Sequence, residues 1–372
     1  MNSYDVVVVG LGGVGSATAA ALARRGERVL GLDRHPAGHD QGASHGETRI
    51  VRKAYFEGVG YVPLLLRSYD LWCSLGLLTV TGGLFLGDAG SRVLEGSRST
   101  AVTHGLDHEL LSAAEVTRRF PAVTPPDGTV ALYEPDAGVV SPEAAVRRQL
   151  DLAVTAGADL HHGEPVLSWQ AGSRGVRVRT PAGSYDAGAM VLAPGRWTPE
   201  LLADLGLPLV VEQRVMHWFD PPGGAGAFAP DRFPAWIWER PDGTVPYGVP
   251  GVAGPAGGVK AAVHFSPVRP PADWTPAQLG ALLAPLLPGL GARVTRSVDC
   301  TYTLTPDQDF VVGRHPEHDR VLLACGLSGH GCKLTPVLGE VLADLAVEGT
   351  TPYDLTFLDV GRFLDRQRFM TR

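Results

Sequence analysis

Short apolar runs alternate with a glycine-rich turn and a helical segment over the first thirty-three residues. Residues 5–9 form a β-branched apolar run, which is typical of a strand buried on both faces. Residues 16–24 have helix-forming composition, and Gly26 suits the end of that helix. Residues 28–32 predict a second buried strand, which Asp33 closes. The pattern therefore predicts a strand–turn–helix–strand unit.

The rest of the chain continues with helical and strand-like patterns. Apolar spacing and helix-start signals predict helices over 61–75, 112–119, 141–156, 275–287 and 335–347. Strand-like patterns cover 79–86, 131–133, 297–303 and 321–325, with a β-meander over 166–192 and further strands over 209–265. We expect an α/β fold with α+β elaboration, in which a Rossmann-like dinucleotide-binding domain is interleaved with an antiparallel-sheet domain. The first domain comprises 1–83, 146–206 and 304–372, and the second comprises 84–145 and 207–303.

Composition narrows the class of protein. The chain has 372 residues, of which 44% are hydrophobic and 19% charged, as expected for a soluble enzyme with a large core. A net charge of −7 does not indicate a positively charged surface for nucleic acid, so no nucleic-acid partner is predicted. No apolar run is long enough to span a membrane, and the chain enters a strand without a signal peptide, so a cytoplasmic protein is expected.

Cysteine and lysine usage adds two further signals. Four cysteines are too few and too unevenly spaced for a disulfide framework. Of 32 basic residues only three are lysines, namely Lys53, Lys260 and Lys333. A coding bias toward arginine explains this where only charge matters. The lysines that remain are therefore candidates for positions that need a compact ammonium group.

The glycine turn predicts a dinucleotide site. Gly10 permits the tight turn, Gly12 allows close approach of a pyrophosphate, and Gly15 allows close helix–strand packing. The N–H groups and the positive dipole end of the helix N-terminus favour binding of the phosphates. Asp33 can accept a hydrogen bond from a ribose hydroxyl. The identity of the dinucleotide stays open at this point.

Other motifs are less specific. Arg49 and Arg52 are three residues apart in a polar segment, which suits either an anion or cofactor contact or a solvated basic turn. Four aromatic residues lie close together in the sequence, and they suit either a protein core or sheet surface or the lining of a pocket. They are Trp218, Trp236, Trp238 and Tyr247.

Two histidine-containing groups have residue types that can bind a metal. His315 with His318, and Cys325 with His330 and Cys332, do not match the spacing of a standard site, so we predict a turn and a strand-to-helix loop, and no metal. The sequence also lacks GxSxG and Walker motifs, which disfavours hydrolase and phosphoryl-transfer chemistry. A dinucleotide cradle with dispersed polar residues favours redox chemistry instead.

Several separated motifs carry a family resemblance. They are His45-Gly-Glu-Thr-Arg-Ile-Val-Arg-Lys-Ala-Tyr55, Tyr61-Val-Pro-Leu, Leu71-Trp72, Cys300-Thr-Tyr-Thr-Leu-Thr-Pro-Asp307, His315-Pro-Glu-His318 and Ser328-Gly-His-Gly-Cys-Lys333. Together they resemble the monomeric sarcosine oxidase and N-methyltryptophan oxidase family of FAD-dependent amine oxidases, almost from end to end of the chain.

The resemblance implies FAD as the cofactor and identifies its contacts. Cys300 is implied to attach covalently to the flavin 8α carbon through its sulfur, and a thiolate suits attack on an electron-poor methyl carbon. The implied FAD-contacting residues are Gly10, Gly12, Gly15, Asp33, Arg34, Ser44, Thr48, Cys300, Gly329 and Lys333.

The same resemblance implies the catalytic and substrate positions. Arg52 and Lys333 correspond to the pair that binds the substrate carboxylate, and Tyr247 corresponds more loosely to a substrate-side residue. Lys260 corresponds to the lysine that activates oxygen, where a point charge stabilises developing negative charge. The remaining catalytic positions are Arg49 beside the flavin ring, His264, Tyr302 and His330.

The expected activity is therefore oxidation of a secondary, sarcosine-like amino acid to an imine, with O2 reduced to hydrogen peroxide, by a monomer. Bulkier N-methyl amino acids, proline or pipecolate, and a dehydrogenase with another electron acceptor are the alternatives. Departures from the family pattern leave the substrate side chain open: Phe56, Trp236, Trp238, Cys332 and a loop between 247 and 260 that is about two residues longer than expected. Lys53 is interpreted as structural.

Overall fold

The structure is a computed structural model that describes residues 3–252, 254 and 257–364. The outer limits of the expected domain division, 1–2 and 365–372, lie outside the described residues. So do residues 253, 255 and 256 of the loop that was expected to be longer.

Strands and helices alternate along the described chain. The helices are α1 Gly13–Arg24, α2 Val62–Leu75, α3 Arg92–Thr103, α4 Ala113–Arg119, α5 Pro142–Thr155, α6 Thr198–Leu201, α7 Pro276–Leu283 and α8 Thr335–Val347. The strands are β1 Ser3–Val9, β2 Val29–Asp33, β3 Arg49–Val51, β4 Thr79–Val80, β5 Gly83–Gly87, β6 Glu109–Ser112, β7 Val130–Glu134, β8 Gly138–Val140, β9 Asp159–His162, β10 Ser168–Gly172, β11 Gly175–Thr180, β12 Gly183–Leu192, β13 Val210–Phe219, β14 Ala235–Trp238, β15 Val245–Val249, β16 Val259–Phe265, β17 Val294–Leu304, β18 Val311–His315 and β19 His318–Cys325.

The first sheet carries the glycine turn. Strands β12, β1, β2 and β9 are parallel neighbours, β19 also pairs in parallel with β12, and β10–β11–β12 form the expected antiparallel meander. Val6 and Val8 of β1 pack into the core on one face, and Val7 and Val9 pack into the core on the other. Burial on both faces explains why β1 is apolar without alternation.

The second sheet carries four of the predicted catalytic and substrate-binding residues, namely Tyr247, Lys260, His264 and Tyr302. Its order is β17-β13-β16-β15-β14-β5-β7-β6, antiparallel except between β5 and β14. Trp236 and Trp238 are buried in a core cluster together with the apolar face of α7. Of the two interpretations of these tryptophans, the core is the one that the structure supports.

The α/β fold expected from sequence is confirmed, while the boundaries of its two domains stay a prediction. Helix α8 has the predicted bounds, whereas α1 begins three residues early because Gly13 already takes up the helical conformation. The helix predicted over 275–287 ends at Leu283, and α3 and the small sheet β3-β8-β4 were not predicted. Among the described residues, no helix combines the length and apolar character needed to cross a membrane.

Candidate active site

The turn between β1 and α1 forms one end of a large cavity. Gly10 has a φ of +87°, a conformation that side chains with a Cβ disfavour. A Cβ on Gly15 would lie 1.7 Å from the carbonyl oxygen of Gly10, so only glycine lets α1 approach the turn this closely. The Asp33 carboxylate accepts hydrogen bonds from the N–H groups of Leu11, at 2.7 Å, and His35, at 2.8 Å. These contacts fix the acid at the end of β2.

The cavity runs from this turn to strand β17 of the second sheet and encloses about 1450 Å³, including its mouth. Ser44 accepts a hydrogen bond from the Gly13 N–H at 3.0 Å, and the Arg34 guanidinium lies 5.1 Å from the centre of the Trp197 ring. The lining brings together these residues of the predicted cofactor set: Gly10, Gly12, Asp33, Arg34, Ser44, Cys300 and Gly329. Gly15 supports the turn from behind.

Cys300 lies in β17 at the far end of this cavity and is 4% exposed. Its sulfur is 3.6 Å from Nη2 of Arg49. Burial opposes ionisation of the thiol, but its interactions with His45 and with the charge of Arg49 lower the pKa of Cys300 below its ordinary value. The surroundings therefore favour the thiolate.

A smaller cavity of about 540 Å³ shares Arg49, Tyr302, Gly329 and Cys332 with the large one. Arg52 lines it, and Nη2 of Arg52 lies 2.6 and 2.5 Å from the two carboxylate oxygens of Glu57. Burial is the largest influence and opposes ionisation of Glu57, but the charge and hydrogen bond of Arg52, together with His330 and Lys333, lower the pKa of Glu57 to about 2. Arg52 therefore has a carboxylate partner, and its Nε is buried without one.

Lys333 lies in a short 3-10 turn on another wall of the small cavity. Its Nζ donates to the His330 carbonyl oxygen at 2.8 Å and lies 5.1 Å from the centre of the Tyr55 ring. Burial, followed by repulsion from Arg52, lowers the pKa of Lys333 to about 7. Arg52 and Lys333 thus bring two cationic side chains from distant segments to one cavity.

His330 also lines the small cavity, but both of its ring nitrogens are engaged. Nε2 lies 2.9 Å from the Gln308 carbonyl oxygen, which can only accept, so Nε2 carries the proton. Nδ1 then accepts from the Tyr55 hydroxyl at 2.5 Å. Because burial lowers the pKa of His330 to about 3, the ring is neutral and holds the wall in place.

Tyr247, His264 and Tyr302 form the side of the small cavity that belongs to the second sheet. The Tyr302 hydroxyl lies 3.4 Å from Nδ1 of His264, and burial lowers the pKa of His264 to about 4, so its ring is neutral near pH 7. His264 and Tyr302 also line a surface cleft on their other side. These two side chains therefore separate the small cavity from the cleft.

Lys260 and Thr48 do not belong to the lining of either cavity. Lys260 is 2% exposed, and its Nζ donates to the carbonyl oxygens of Gly46, at 3.0 Å, and Thr48. Burial, followed by repulsion from Arg49, holds the pKa of Lys260 well below its ordinary value. The structure thus places Lys260 one layer behind Arg49, which lines both cavities.

The residues of the large cavity fit an adenine–flavin dinucleotide. Its glycine turn and helix N-terminus suit a pyrophosphate, and Asp33 stands at the ribose position of such a site. At the other end, the Arg49 guanidinium and the Cys300 sulfur line the cavity, and both suit contact with a polar ring system. The cavity therefore has polar groups for both ends of the cofactor.

His315 lies in a group of possible metal ligands, but both of its ring nitrogens have hydrogen-bond partners within the protein. His315, His318 and Asp204 come close enough together for a cation. However, Nδ1 of His315 accepts from the Glu317 N–H at 3.2 Å, so Nε2 carries the proton and donates to Asp204 at 3.0 Å. His315 and Asp204 therefore have partners within the protein, while the absence of a metal stays a prediction. The predicted turn at 315–318 connects β18 and β19.

Sequence reasoning missed the acidic and aromatic partners of the site. Glu57 pairs with Arg52, Tyr55 holds His330, and Glu143 contacts the segment next to Arg49. Nothing in the local sequence distinguishes Glu57 or Glu143 from the other acidic residues, of which the chain has 39 in all. Glu57 and Tyr55 lie within or next to the quoted family motif, so their position was the available signal.

Comparison with known proteins gives one consistent result. A family model described as "DAO: FAD dependent oxidoreductase" matches residues 5–345. A monomeric sarcosine oxidase of Streptomyces avermitilis is 44% identical over 97% of this chain and 98% of its own length. An N-methyl-L-tryptophan oxidase of Salmonella heidelberg is 35% identical over 97% and 99%. The solved structure of NikD, described as an unusual amino acid oxidase essential for nikkomycin biosynthesis, is 28% identical over 96% and 98%, with a TM-score of 0.80.

Proposed function

Because the chain belongs to the family of FAD-dependent oxidoreductases, we propose that it is a flavin-dependent oxidase of secondary amino acids. The substrates are sarcosine-like N-methyl or cyclic amino acids, which are oxidised at the carbon–nitrogen bond to an imine while O2 is reduced to hydrogen peroxide. The names of the 44% and 35% identical relatives support the N-methyl class.

One observation carries the substrate class. The small cavity adjoins the cofactor cavity and has Arg52 and Lys333 on separate walls. Two cations that converge on one small cavity suit a carboxylate ligand, which forms charge-assisted hydrogen bonds with both. An amino acid whose carboxylate is held there would have its amine within the same cavity, next to the wall shared with the cofactor.

When bound, FAD would supply the redox chemistry: it would take two electrons and a proton from the substrate C–H bond, and these, with the proton lost from the amine N–H, would reduce O2 to hydrogen peroxide. Arg52 and Lys333 orient the substrate, and Glu57 must release Arg52 when a substrate carboxylate replaces it. His264 is neutral near pH 7 and can accept a hydrogen bond without repelling an amine. Water then hydrolyses the imine that leaves the site.

The electron acceptor distinguishes an oxidase from a dehydrogenase. The Arg49 guanidinium, with the buried Lys260 amine behind it, supports oxygen as the acceptor because positive charge here would stabilise the negative charge that develops on O2 during reduction. The test is peroxide formed per amine oxidised in air-saturated buffer. We expect a ratio near one, whereas a ratio near zero with activity on an artificial acceptor would contradict the oxidase function.

We also propose that Cys300 attaches FAD through its sulfur. Support comes from its place at the end of the large cavity and from the lowered pKa of its thiol. Acid precipitation tests this. Wild-type protein should pellet yellow, Cys300→Ser should release its flavin, and a Cys300→Ser pellet that stays yellow would exclude this attachment site.

The apolar walls of the small cavity would contact the side chain of the substrate. Ile50, Phe56 and Ile237 give the small cavity apolar walls. Anaerobic bleaching of the flavin by sarcosine, bulkier N-methyl amino acids, proline and pipecolate would rank these substrates directly. We propose that the enzyme acts as a monomer, as the name of its 44% identical relative suggests, and light scattering of the holoenzyme tests this.

A further inference from the structure

Two consecutive residues next to the flavin end of the cavity have left-handed backbone conformations. Gly46 has a φ of +93° and Glu47 a φ of +63°, which is uncommon for a residue with a side chain. Successive N–H groups in such a turn point to the same side and form a concave binding site for an anion. The turn therefore needs a negatively charged group on that side.

The Glu143 carboxylate supplies this group. Its Oε1 accepts hydrogen bonds from the N–H groups of Gly46, at 2.6 Å, and Glu47, at 3.0 Å. Glu143 lies in the first turn of α5, where Ser141 is the N-cap, so its backbone is held by a helix. Both N–H bonds end on one oxygen of a rigidly held residue from a distant segment.

The carbonyl groups of the same turn hold Lys260. Gly46 and Thr48 direct their carbonyl oxygens to Nζ of Lys260, and Gly46 O also accepts from Thr48 N at 2.7 Å. The Glu47 side chain adds a second connection, because it accepts from Nε1 of Trp218, whose residue pairs with Lys260 across β13 and β16. The turn thus joins Glu143 to the ammonium group through two peptide units.

We propose that Glu143 is a positioning residue for the oxygen reaction, holding the 46–48 turn so that its carbonyl groups fix Lys260 behind Arg49. This inference rests on the proposed function, in which Lys260 favours electron transfer to O2. Without the carboxylate, the strained turn loses its two anchoring bonds, and the Gly46 and Thr48 carbonyls no longer hold Lys260 in one place.

The test separates the two half-reactions. The flavin of each purified holoenzyme is reduced by light with oxalate as the electron donor, without any amine, and its reoxidation by O2 is followed by absorbance. Reduction by the amine substrate is followed separately. Glu143→Ala should slow reoxidation at least about tenfold while reduction by the amine changes less than about threefold. Glu143→Gln retains a side-chain oxygen and should recover most of the lost rate.

The matched control is Glu115→Ala. Glu115 also lies in the first turn of a helix and accepts backbone and side-chain hydrogen bonds from Ser112, but it has no connection to Lys260. Its variant should reoxidise at the wild-type rate. Glu143→Asp, which withdraws the carboxylate by one methylene, serves if Glu143→Ala fails to retain flavin, and intermediate slowing of reoxidation alone would support the proposal.

Two results would overturn it. Wild-type reoxidation rates in Glu143→Ala and Glu143→Asp would show that Lys260 does not depend on Glu143, and equal slowing of both half-reactions would indicate a general structural role. If the wild-type flavin itself reoxidises slowly, the oxidase function fails first, and that outcome is recognisable before any variant is examined.

Discussion

Among single residues, Lys333 has the most direct expected effect on substrate binding. Lys333→Met keeps the length of the side chain but leaves Arg52 as the single cation of the pair. Removing a buried charged partner costs about 2 kcal/mol or more, so the Kd and KM of the amino acid should rise at least about 30-fold. Anaerobic titration of the flavin absorbance gives this Kd without contributions from oxygen.

The chain offers Lys53→Met as a matched control. Lys53 pairs with Asp136 at 2.5 Å on a partly exposed surface, so the same substitution there should leave the KM within about twofold. If both variants raise the KM alike, the effect is not specific to the small cavity. An unchanged KM in Lys333→Met would remove Lys333 from the carboxylate site.

The pH dependence of carboxylate binding follows from the same residue. Burial and Arg52 lower the pKa of Lys333 to about 7, so Lys333 is charged below that pH and neutral above it. Binding of a simple carboxylate such as acetate should therefore be flat between about pH 6 and pH 7, where the ligand is ionised, and weaken up to about tenfold per pH unit above pH 7. Glu57, whose pKa is lowered to about 2, stays ionised throughout. Lys333→Met should abolish this slope, and a slope that persists would assign it to another group.

The sequence predicted the cations of the site better than their partners. The scarcity of lysine drew attention to Lys260 and Lys333, and both are buried beside the cavities, as the interpretation of rare lysines requires. Glu57 and Glu143 were not predicted, because a carboxylate that pairs with a cation or with backbone N–H groups looks locally like any exposed acid. Only the folded structure shows which carboxylates are buried from solvent.

Among the elements, the turn between β1 and α1 is the most sensitive to a single methyl group. In Gly15→Ala the new Cβ would lie 1.7 Å from the Gly10 carbonyl oxygen, so α1 must move away from the turn. Overpacking of this kind costs about 1–3 kcal/mol and displaces the N–H groups that would face the pyrophosphate. We expect less than half of the wild-type flavin content, measured as the ratio of absorbance at the flavin and protein maxima.

Gly172→Ala is the control for this element. Gly172 lies in β10, and a Cβ there meets no atom within 4 Å. Flavin content should therefore equal that of the wild type. A Gly15→Ala protein that also keeps its full flavin content would show that the turn tolerates a shift of α1.

Local signals were enough for elements whose capping and spacing are self-contained. Helix α8 and the meander β10–β12 were predicted, since apolar spacing and glycine turns decide them. Helix α3 was missed although Ser91 caps it, because its apolar residues are few and its mean composition is polar. The parallel pairing of β5 with β14 joins residues 152 positions apart and has no local signal.

At the scale of the whole molecule, the cofactor cavity joins the two large sheets. Its glycine turn follows β1 of the first sheet, and Cys300 belongs to β17 of the second. Neither sheet forms this cavity by itself, so a bound dinucleotide contacts both cores at once. The general α/β class and the interleaving of segments could be expected from sequence, whereas the position of one sheet against the other depends on packing across hundreds of residues.

This arrangement makes the thermal stability of the holoenzyme depend on how FAD is retained. In wild-type protein with covalent FAD, the cofactor cannot dissociate before unfolding, so added FAD should not change the Tm. In Cys300→Ser, FAD becomes an ordinary ligand of the folded state, which it stabilises by about 2.7 kcal/mol at 100 times its Kd. The Tm of Cys300→Ser should therefore rise by about 3–4 °C with added FAD in differential scanning calorimetry.

Cys73→Ser controls for the loss of a thiol, since Cys73 is exposed and lines neither the large nor the small cavity. Its Tm should be independent of added FAD, as in the wild type. A wild-type Tm that rises with FAD would show that the cofactor exchanges and is not tethered. If added FAD does not change the Tm of Cys300→Ser, binding in the cavity between the sheets contributes little to the stability of the fold. Strands β1 and β17 would then keep their positions without the cofactor that they are proposed to share.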